Sequence, residues 1–303
     1  MASKSVRWRA ESRPCPLCAE TDSSVLGMRG GSAHRRQVGI ETNVVRCKRC
    51  NLLYTRPTLV PDGNPYEEES VDSYFAHLHD DITLARGYHY AETAQKLLGA
   101  PGRMLEVGCG LGLYLQGARE RGWKVRGVDF TSAFVESAAK RGIEVECAGP
   151  LDSKFLDEQY DCILLVNILE HLYEPREVLA RVFKALRPGG VVAIGVPNEL
   201  GLTARAGNLY FKTQGKPWAM NLSPTFPPFH VIGFSPQSLR FGLEQAGLEV
   251  VALETVLGYN DMEKATTLRG RVESAALSAI LRTAQVIGQG DALDCWARRP
   301  LAS

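Results

Sequence analysis

The sequence predicts an α/β protein built on a doubly wound, mostly parallel seven-stranded sheet, with a small cysteine module at its N-terminus and an aromatic insertion at one rim. Three observations predict it. From Arg103 onward, short apolar runs alternate with helical stretches, the pattern of a parallel sheet covered by helices. A glycine-rich turn, Glu106-Val-Gly-Cys-Gly-Leu-Gly112, joins the first of these strands to a helix. Two Cys-x-x-Cys pairs stand ahead of the sheet.

The strands read in order as RMLEVG, WKVRGVDF, IEVECA, YDCILLVN, VVAIGVP, LEVVALET and DALDCWARR. Between them, SAFVESAAKRG and PREVLARVFKALRPGG have helical patterning, and the second is expected to stop at its Arg-Pro-Gly-Gly, where glycine adopts positive φ. The chain divides into a cysteine-bearing segment 1–60, a turn and helical linker 61–100 that covers the pocket, and the sheet domain 101–303. The linker opens with PDGNPYEEES, a turn and an acidic helix start, and continues as the helix ITLARGYHYAETAQKLLGA. Residues 198–232 and 258–289 interrupt the alternation. Long rim insertions are more often functional covers than structureless loops.

Composition excludes several classes. Among 303 residues, 45% are hydrophobic and 23% charged, as in ordinary globular proteins. No apolar run approaches the roughly 20 residues that span a bilayer, and the polar, basic start MASKSVRWRAESRPC lacks the apolar centre of a secretion signal. A cytoplasmic location without membrane attachment is expected. The net charge of +1 argues against a long nucleic-acid footprint. Charge is uneven, basic up to Arg56 and acidic from there to Asp81, which reads as solvated surface. Cys109, Cys147, Cys162 and Cys295 stand singly and read as small core residues.

The glycine turn carries the first functional argument. Glycines at a strand–helix junction let backbone approach a ligand at the helix N-terminus. The spacing is GxGxG, and Glu106 precedes the glycines. A carboxylate there repels a pyrophosphate but suits a ligand with ammonium and sulfonium centres, which is what S-adenosylmethionine requires. Asp129 closes the next strand, at the distance of about 20 residues where a carboxylate meets ribose hydroxyls in doubly wound folds.

The runs MLEVGCGLGLYL, GVDF and YDCILLVNILEHLYEPREVLARVFKALRPGGVVAIGVPN, followed by HVIGFSPQSLRFGLEQAGLEVV, closely resemble the class I S-adenosylmethionine-dependent methyltransferases. The resemblance implies a Rossmann-like seven-stranded sheet whose final strand is antiparallel. It implies that the loop Glu106 to Gly112, with Gly108, Cys109 and Gly110, holds the methionine portion, and that Asp129 holds the ribose. Ala148-Gly-Pro-Leu151 would border adenine, with Phe130 and Leu151 as apolar walls; many family members carry an Asp where Gly149 or its neighbour stands, and this sequence departs from them there. Asn167 would line the cofactor on the acceptor side.

Cys15-Pro-Leu-Cys18 and Cys47-Lys-Arg-Cys50 are separated by 28 residues (19–46). Each pair can place two thiolates on one tetrahedral Zn²⁺, and four thiolates fill its coordination, so the expected zinc is structural. A zinc ribbon ahead of this core looks like enzymes of sugar and natural-product biosynthesis, including deoxysugar C-methyltransferases. Those usually carry a further large C-terminal domain, which this sequence does not show.

A small-molecule acceptor methylated on oxygen is therefore expected, with His230 and His171 as candidate catalytic residues by position. For His171 a packing role beside the cofactor is favoured; His230 either acts as base or anchors the insertion. Tyr210, Phe211, Trp218, Phe226 and Phe229 would form a pocket cover or acceptor platform, and Tyr88, His89 and Tyr90 could close the pocket from the other side. The rival is an RNA base methyltransferase using Arg35, Arg36, Arg46, Lys48 and Arg49 of the cysteine module. The near-neutral charge and the aromatic, proline-rich insertion favour a compact acceptor.

Overall fold

The computed structural model describes residues 6–66, 80–258 and 268–301. Five short strands come first: β1 (Trp8–Glu11), β2 (Ser23–Arg29), β3 (Thr42–Cys47), β4 (Leu53–Arg56) and β5 (Thr58–Pro61). Helix α1 (Asp80–Leu98) follows, and then β6 (Arg103–Val107), α2 (Leu113–Glu120), β7 (Lys124–Asp129), α3 (Ser132–Lys140), β8 (Glu144–Cys147), β9 (Tyr160–Val166), α4 (Pro175–Ala185) and β10 (Leu186–Pro197). The rest comprises α5 (Leu202–Thr213), β11 (Ile232–Gly233), α6 (Pro236–Gln245), β12 (Glu249–Val256), α7 (Leu268–Val286) and β13 (Ala292–Arg298). The acidic helix start read at 67–70 and part of the second insertion, 259–267, lie outside the described residues.

All seven expected strands form one sheet in the order β12-β13-β10-β9-β6-β7-β8. β6 to β10 run parallel, while β13 runs antiparallel to both β10 and β12. β9 is buried at every position, which explains its unbroken apolar sequence. Alternate residues feed the two faces: Leu105, Ile163, Leu165 and Ile194 enter one buried cluster, and Met104, Cys162, Leu164 and Ala193 the other.

Two expectations need correction. Helix α4 ends at Ala185, ahead of Arg-Pro-Gly-Gly, because Leu186 already pairs with Tyr160 of β9. Gly189 takes its positive φ of 80° inside the irregular start of β10 instead of capping the helix. Cys147, read as a core residue, is exposed because β8 forms the sheet edge. Cys109, Cys162 and Cys295 are buried as expected.

The cysteine module does not stand apart. Cys15, Leu17, Cys47, Cys50, Leu52 and Tyr54 belong to the same buried cluster as Leu165, Val196, Phe234 and Leu239 of the large domain. Leu17 fills space left by Gly242 of α6, where an added Cβ would lie 2.9 Å from Leu17 Cδ1. A module this small cannot bury enough apolar surface alone, and sharing a core supplies it.

The aromatic insertion is fastened to the same module. Its last strand, β11, extends the sheet β11-β4-β3-β2 through Ile232–Tyr54 and Gly233–Leu53. Upstream, Met28 N–H donates to the Pro217 carbonyl at 2.7 Å and Ala219 N–H to the Met28 carbonyl at 2.8 Å. The Ile40 amide donates to Thr225 Oγ1 at 2.8 Å, and Arg29 Nε to the Leu222 carbonyl at 2.9 Å. Gly27 permits this approach, since a Cβ there would stand 2.8 Å from the Trp218 carbonyl carbon. Gly27→Ala is therefore expected to push the insertion off β2 and cost about 1–3 kcal/mol, the usual range for overpacking. Chemical unfolding would measure it, and a variant as stable as the parent would contradict the packing described.

Candidate active site

The glycine loop lies where β6 meets α2, at the carboxyl edge of the sheet. The Gly108 and Cys109 amides donate to the Val128 carbonyl at 2.7 and 3.1 Å, so the loop is pinned across β7. Gly108 has φ 74°, and a Cβ there would meet Ile168 Cδ1 at 2.7 Å. Only glycine combines that dihedral with that contact. The contact also packs the loop against the turn after β9, where the acceptor-side residues begin.

Glu106 is 2% exposed, and its Oε2 has no hydrogen-bond partner among the described residues. Burial, reinforced by the nearby Asp129 charge, raises its pKa well above the ordinary carboxylate range. A buried carboxylate oxygen without a donor calls for a cation. Asp129 accepts from the Gly110 amide at 2.9 Å on one oxygen and from the Thr131 amide at 2.9 Å on the other. Burial raises its pKa as well, and these amides oppose the shift. These groups fit S-adenosylmethionine, whose ammonium would answer Glu106 and whose ribose would meet Asp129.

Phe130 and Leu151 are each 38% exposed, available as walls of an open pocket. The segment bordering them is held by charge-assisted bonds. Arg181 donates to the Leu151 carbonyl and, at 2.8 Å, to the Ser153 carbonyl. Glu146 accepts from Ser153 Oγ at 2.6 Å and the Phe155 amide at 3.0 Å. Asn167 is exposed at the end of β9 with φ 53°, a left-handed conformation that Asn tolerates better than most residues.

At the turn after β9 the structure gathers residues far apart in sequence. The His171 and His230 rings meet edge-on at 4.9 Å between centroids. Tyr66 Oη lies 2.9 Å from His171 Nδ1 and donates to the Pro228 carbonyl at 3.1 Å. The Tyr66 ring packs edge-on against Phe130 at 5.7 Å and Phe229 at 5.2 Å. Glu170 is 2% exposed, and its Oε2 lacks a partner among the described residues. Burial holds both imidazoles neutral, with pKa lowered to about 4 for His171 and about 3 for His230, while Glu170 is pushed up to about 8. Neither Tyr66 nor Glu170 was singled out from sequence as a site residue. Glu170 had a signal in its place beside His171, whereas Tyr66 sat in a segment that reads only as a turn.

The aromatic insertion divides. Only Phe229 joins the histidine cluster, through Tyr66. Phe226 packs on His34 at 4.9 Å and under Arg29 at 5.2 Å, and Phe211 packs on Trp218 at 5.5 Å, with Tyr210 at 6.0 Å from Phe211. These rings fasten the insertion to the cysteine module and to itself. Tyr90 is a core residue against Tyr114 and Trp296. Tyr88 pairs with Glu120 on the surface, and His89 is exposed.

The four cysteines converge with Sγ atoms within 4.8 Å of one another. Cys15 and Cys50 sulfurs are 3.5 Å apart, as are those of Cys18 and Cys47. These separations exceed an S–S bond and approach the edge of about 3.8 Å for thiolates on a tetrahedral ion at about 2.3 Å. The donor set therefore suggests a zinc module.

The Glu106 arrangement has a consequence for ligand binding. Because its carboxyl titrates above the ordinary range when the pocket is open, a cationic ligand binds after the proton leaves. Affinity should rise with pH through the raised pKa and level off above it. Calorimetry with S-adenosylhomocysteine should show that rise, and Glu106→Gln should weaken binding about tenfold and flatten the dependence. Equal affinity at all pH values in both proteins would refute the assignment.

Comparison with known proteins establishes the family. The chain is 29% identical over 201 residues to a ubiquinone biosynthesis O-methyltransferase of Marinobacter nauticus, covering 63% of this chain and 80% of the relative. It is 28% identical over 173 residues to the tRNA 5-carboxymethoxyuridine methyltransferase of Escherichia coli K12, covering 52% and 64%. A solved S-adenosylmethionine-dependent methyltransferase from Archaeoglobus fulgidus shares the fold with TM-score 0.51 at 19% identity, over 75% of this chain and 96% of its own. The family model described as a methyltransferase domain matches residues 79–253, more than half of the chain, so this protein belongs to that family and is an S-adenosylmethionine-dependent methyltransferase.

Proposed function

We propose that the protein transfers the methyl group to an oxygen of a small-molecule acceptor, a sugar or natural-product metabolite, and that the cluster around His230 activates that oxygen. The observation that carries this reading is the edge-on pairing of two part-buried imidazoles, His171 after β9 and His230 from the insertion, held neutral by desolvation. S-adenosylmethionine supplies an electrophilic methyl on sulfur. The chain's part is to hold the acceptor in line, exclude water and favour loss of the hydroxyl proton. The insertion roofs the cluster through Pro228 and Phe229, which suits a compact acceptor. The similarity to an enzyme named as a ubiquinone O-methyltransferase supports oxygen as the target.

The similarity to a tRNA methyltransferase supports a second reading, methylation of RNA through the basic module. The module's cations favour the first. Lys48 pairs with Asp22 at 3.0 Å, and Arg49 and Arg35 each lie 5.8 Å over the Phe241 and Tyr210 rings, so these side chains already have partners within the protein.

We also assign Zn²⁺ to Cys15, Cys18, Cys47 and Cys50. Metal analysis should find one zinc per chain that Cys47→Ser removes; a zinc-free native protein would overturn this. For the acceptor site, His230→Ala should lower turnover by about 10²–10⁴-fold with cofactor affinity unchanged. Product analysis over a panel of hydroxylated metabolites and transfer RNA should give an O-methylated small molecule. A methylated nucleobase, or wild-type turnover in the variant, would refute the proposal.

A further inference from the structure

Glu170, His171 and His230 each offer a ligand atom within 4.8 Å of the others. His171 Nδ1 is taken up by Tyr66 Oη at 2.9 Å and the Phe229 carbonyl at 3.3 Å. Because the Phe229 carbonyl can only accept, Nδ1 carries the hydrogen and Nε2 keeps a lone pair. That lone pair faces Glu170 Oε1 at 3.9 Å, too far for a hydrogen bond. Two ligands on one ion at about 2.1 Å each stand roughly 3.0–3.4 Å apart, so a small side-chain adjustment suffices. A backbone carbonyl fixing one imidazole nitrogen while the other points at a carboxylate is the usual support of a metal-bound histidine. The buried, unpartnered Oε2 of Glu170 is a second, independent sign of a missing cation.

We propose that Glu170, His171 and His230 bind a divalent first-row metal ion, and that the acceptor docks on it through two neighbouring oxygens. This deepens the O-methylation reading and rests on it. Three protein ligands leave adjacent positions open on a five- or six-coordinate ion, a geometry that matches a vicinal diol or hydroxy-carbonyl group. The ion lowers the pKa of the coordinated hydroxyl, which releases its proton to water. The resulting oxygen attacks the sulfonium methyl; a C–O bond forms, the C–S bond breaks, and its electron pair stays on sulfur as the thioether. The insertion delivers one ligand: the His230 amide donates to Ser223 Oγ at 3.1 Å, and the Val231 amide to the Glu170 carbonyl at 2.9 Å. Seating the insertion and completing the site are therefore one event.

Cobalt(II) titration of the full-length, zinc-loaded protein with saturating S-adenosylhomocysteine tests this. One Co²⁺ per chain should bind, with visible d–d absorption and no thiolate charge-transfer band, which separates the site from the four cysteines. Glu170→Gln, nearly isosteric, and His230→Ala should each weaken Co²⁺ at least tenfold while S-adenosylhomocysteine affinity stays at the parent value, the check that both variants are folded. Absent Co²⁺ binding, or parent-like affinity in both variants, would overturn the site. Full O-methylation after chelation that leaves the ribbon zinc in place would overturn the metal's role while leaving O-methylation standing. Co²⁺ binding as described with a product methylated on carbon or nitrogen would support the site and refute the oxygen reading.

Discussion

Two residues of backbone pairing, Ile232 with Tyr54 and Gly233 with Leu53, decide how this molecule is put together. They make the end of the insertion a strand of the cysteine module's sheet. Asn198 and Phe234 bridge the same region back to the end of β10. The module, the roof over the cluster and the catalytic sheet are thereby consecutive parts of one packed body, with the module's cysteines inside the core they share. The order of four thiols thus bears on residues that touch the acceptor cluster, Phe229 and His230, far from the thiols in sequence.

The two halves of the site meet where Gly108 approaches Ile168 and where Phe130 packs on Tyr66, and they differ in electrostatic character. Gly108 on the cofactor side packs on Ile168, which stands two residues before Glu170. On the cofactor side, Glu106 and Asp129 are buried carboxyl groups whose charged forms a sulfonium and an ammonium would favour. On the acceptor side, burial keeps the imidazoles uncharged, so their lone pairs are available for a proton or an ion. Exclusion of water serves both halves, because charge interactions strengthen as local polarity falls.

How much of this was legible in sequence follows from range. The strands were readable because burial on both faces writes unbroken apolar runs such as Tyr160 to Val166. Glu106, the glycines, Asp129 and the four cysteines stand out in sequence because local spacing marks them, and the structure brings the four thiols together. The end of α4 was misread because pairing of Leu186 with Tyr160, a tertiary event, overrode the glycine signal. Tyr66 was invisible because its meaning comes from His171, 105 residues away. The insertion's aromatics shared one composition but different destinations: Phe226 faces the module, Phe211 and Trp218 face each other, and only Phe229 faces the cluster. Composition specifies how much apolar surface must be covered, not by which neighbour.

The pairing of β11 with β4 makes the cysteine module and the roof of the site one cooperative unit. Hydrogen exchange before and after chelation of the metal proposed for the four cysteines measures this directly. The amides that bind roof to module, those of Met28, Ala219 and Ile40, should lose protection together with the module strands β3 and β4, while β9 at the sheet centre keeps its protection. Loss confined to β3 and β4, with the Ala219 amide as slow as before, would show that the roof stands without the module and would contradict the account.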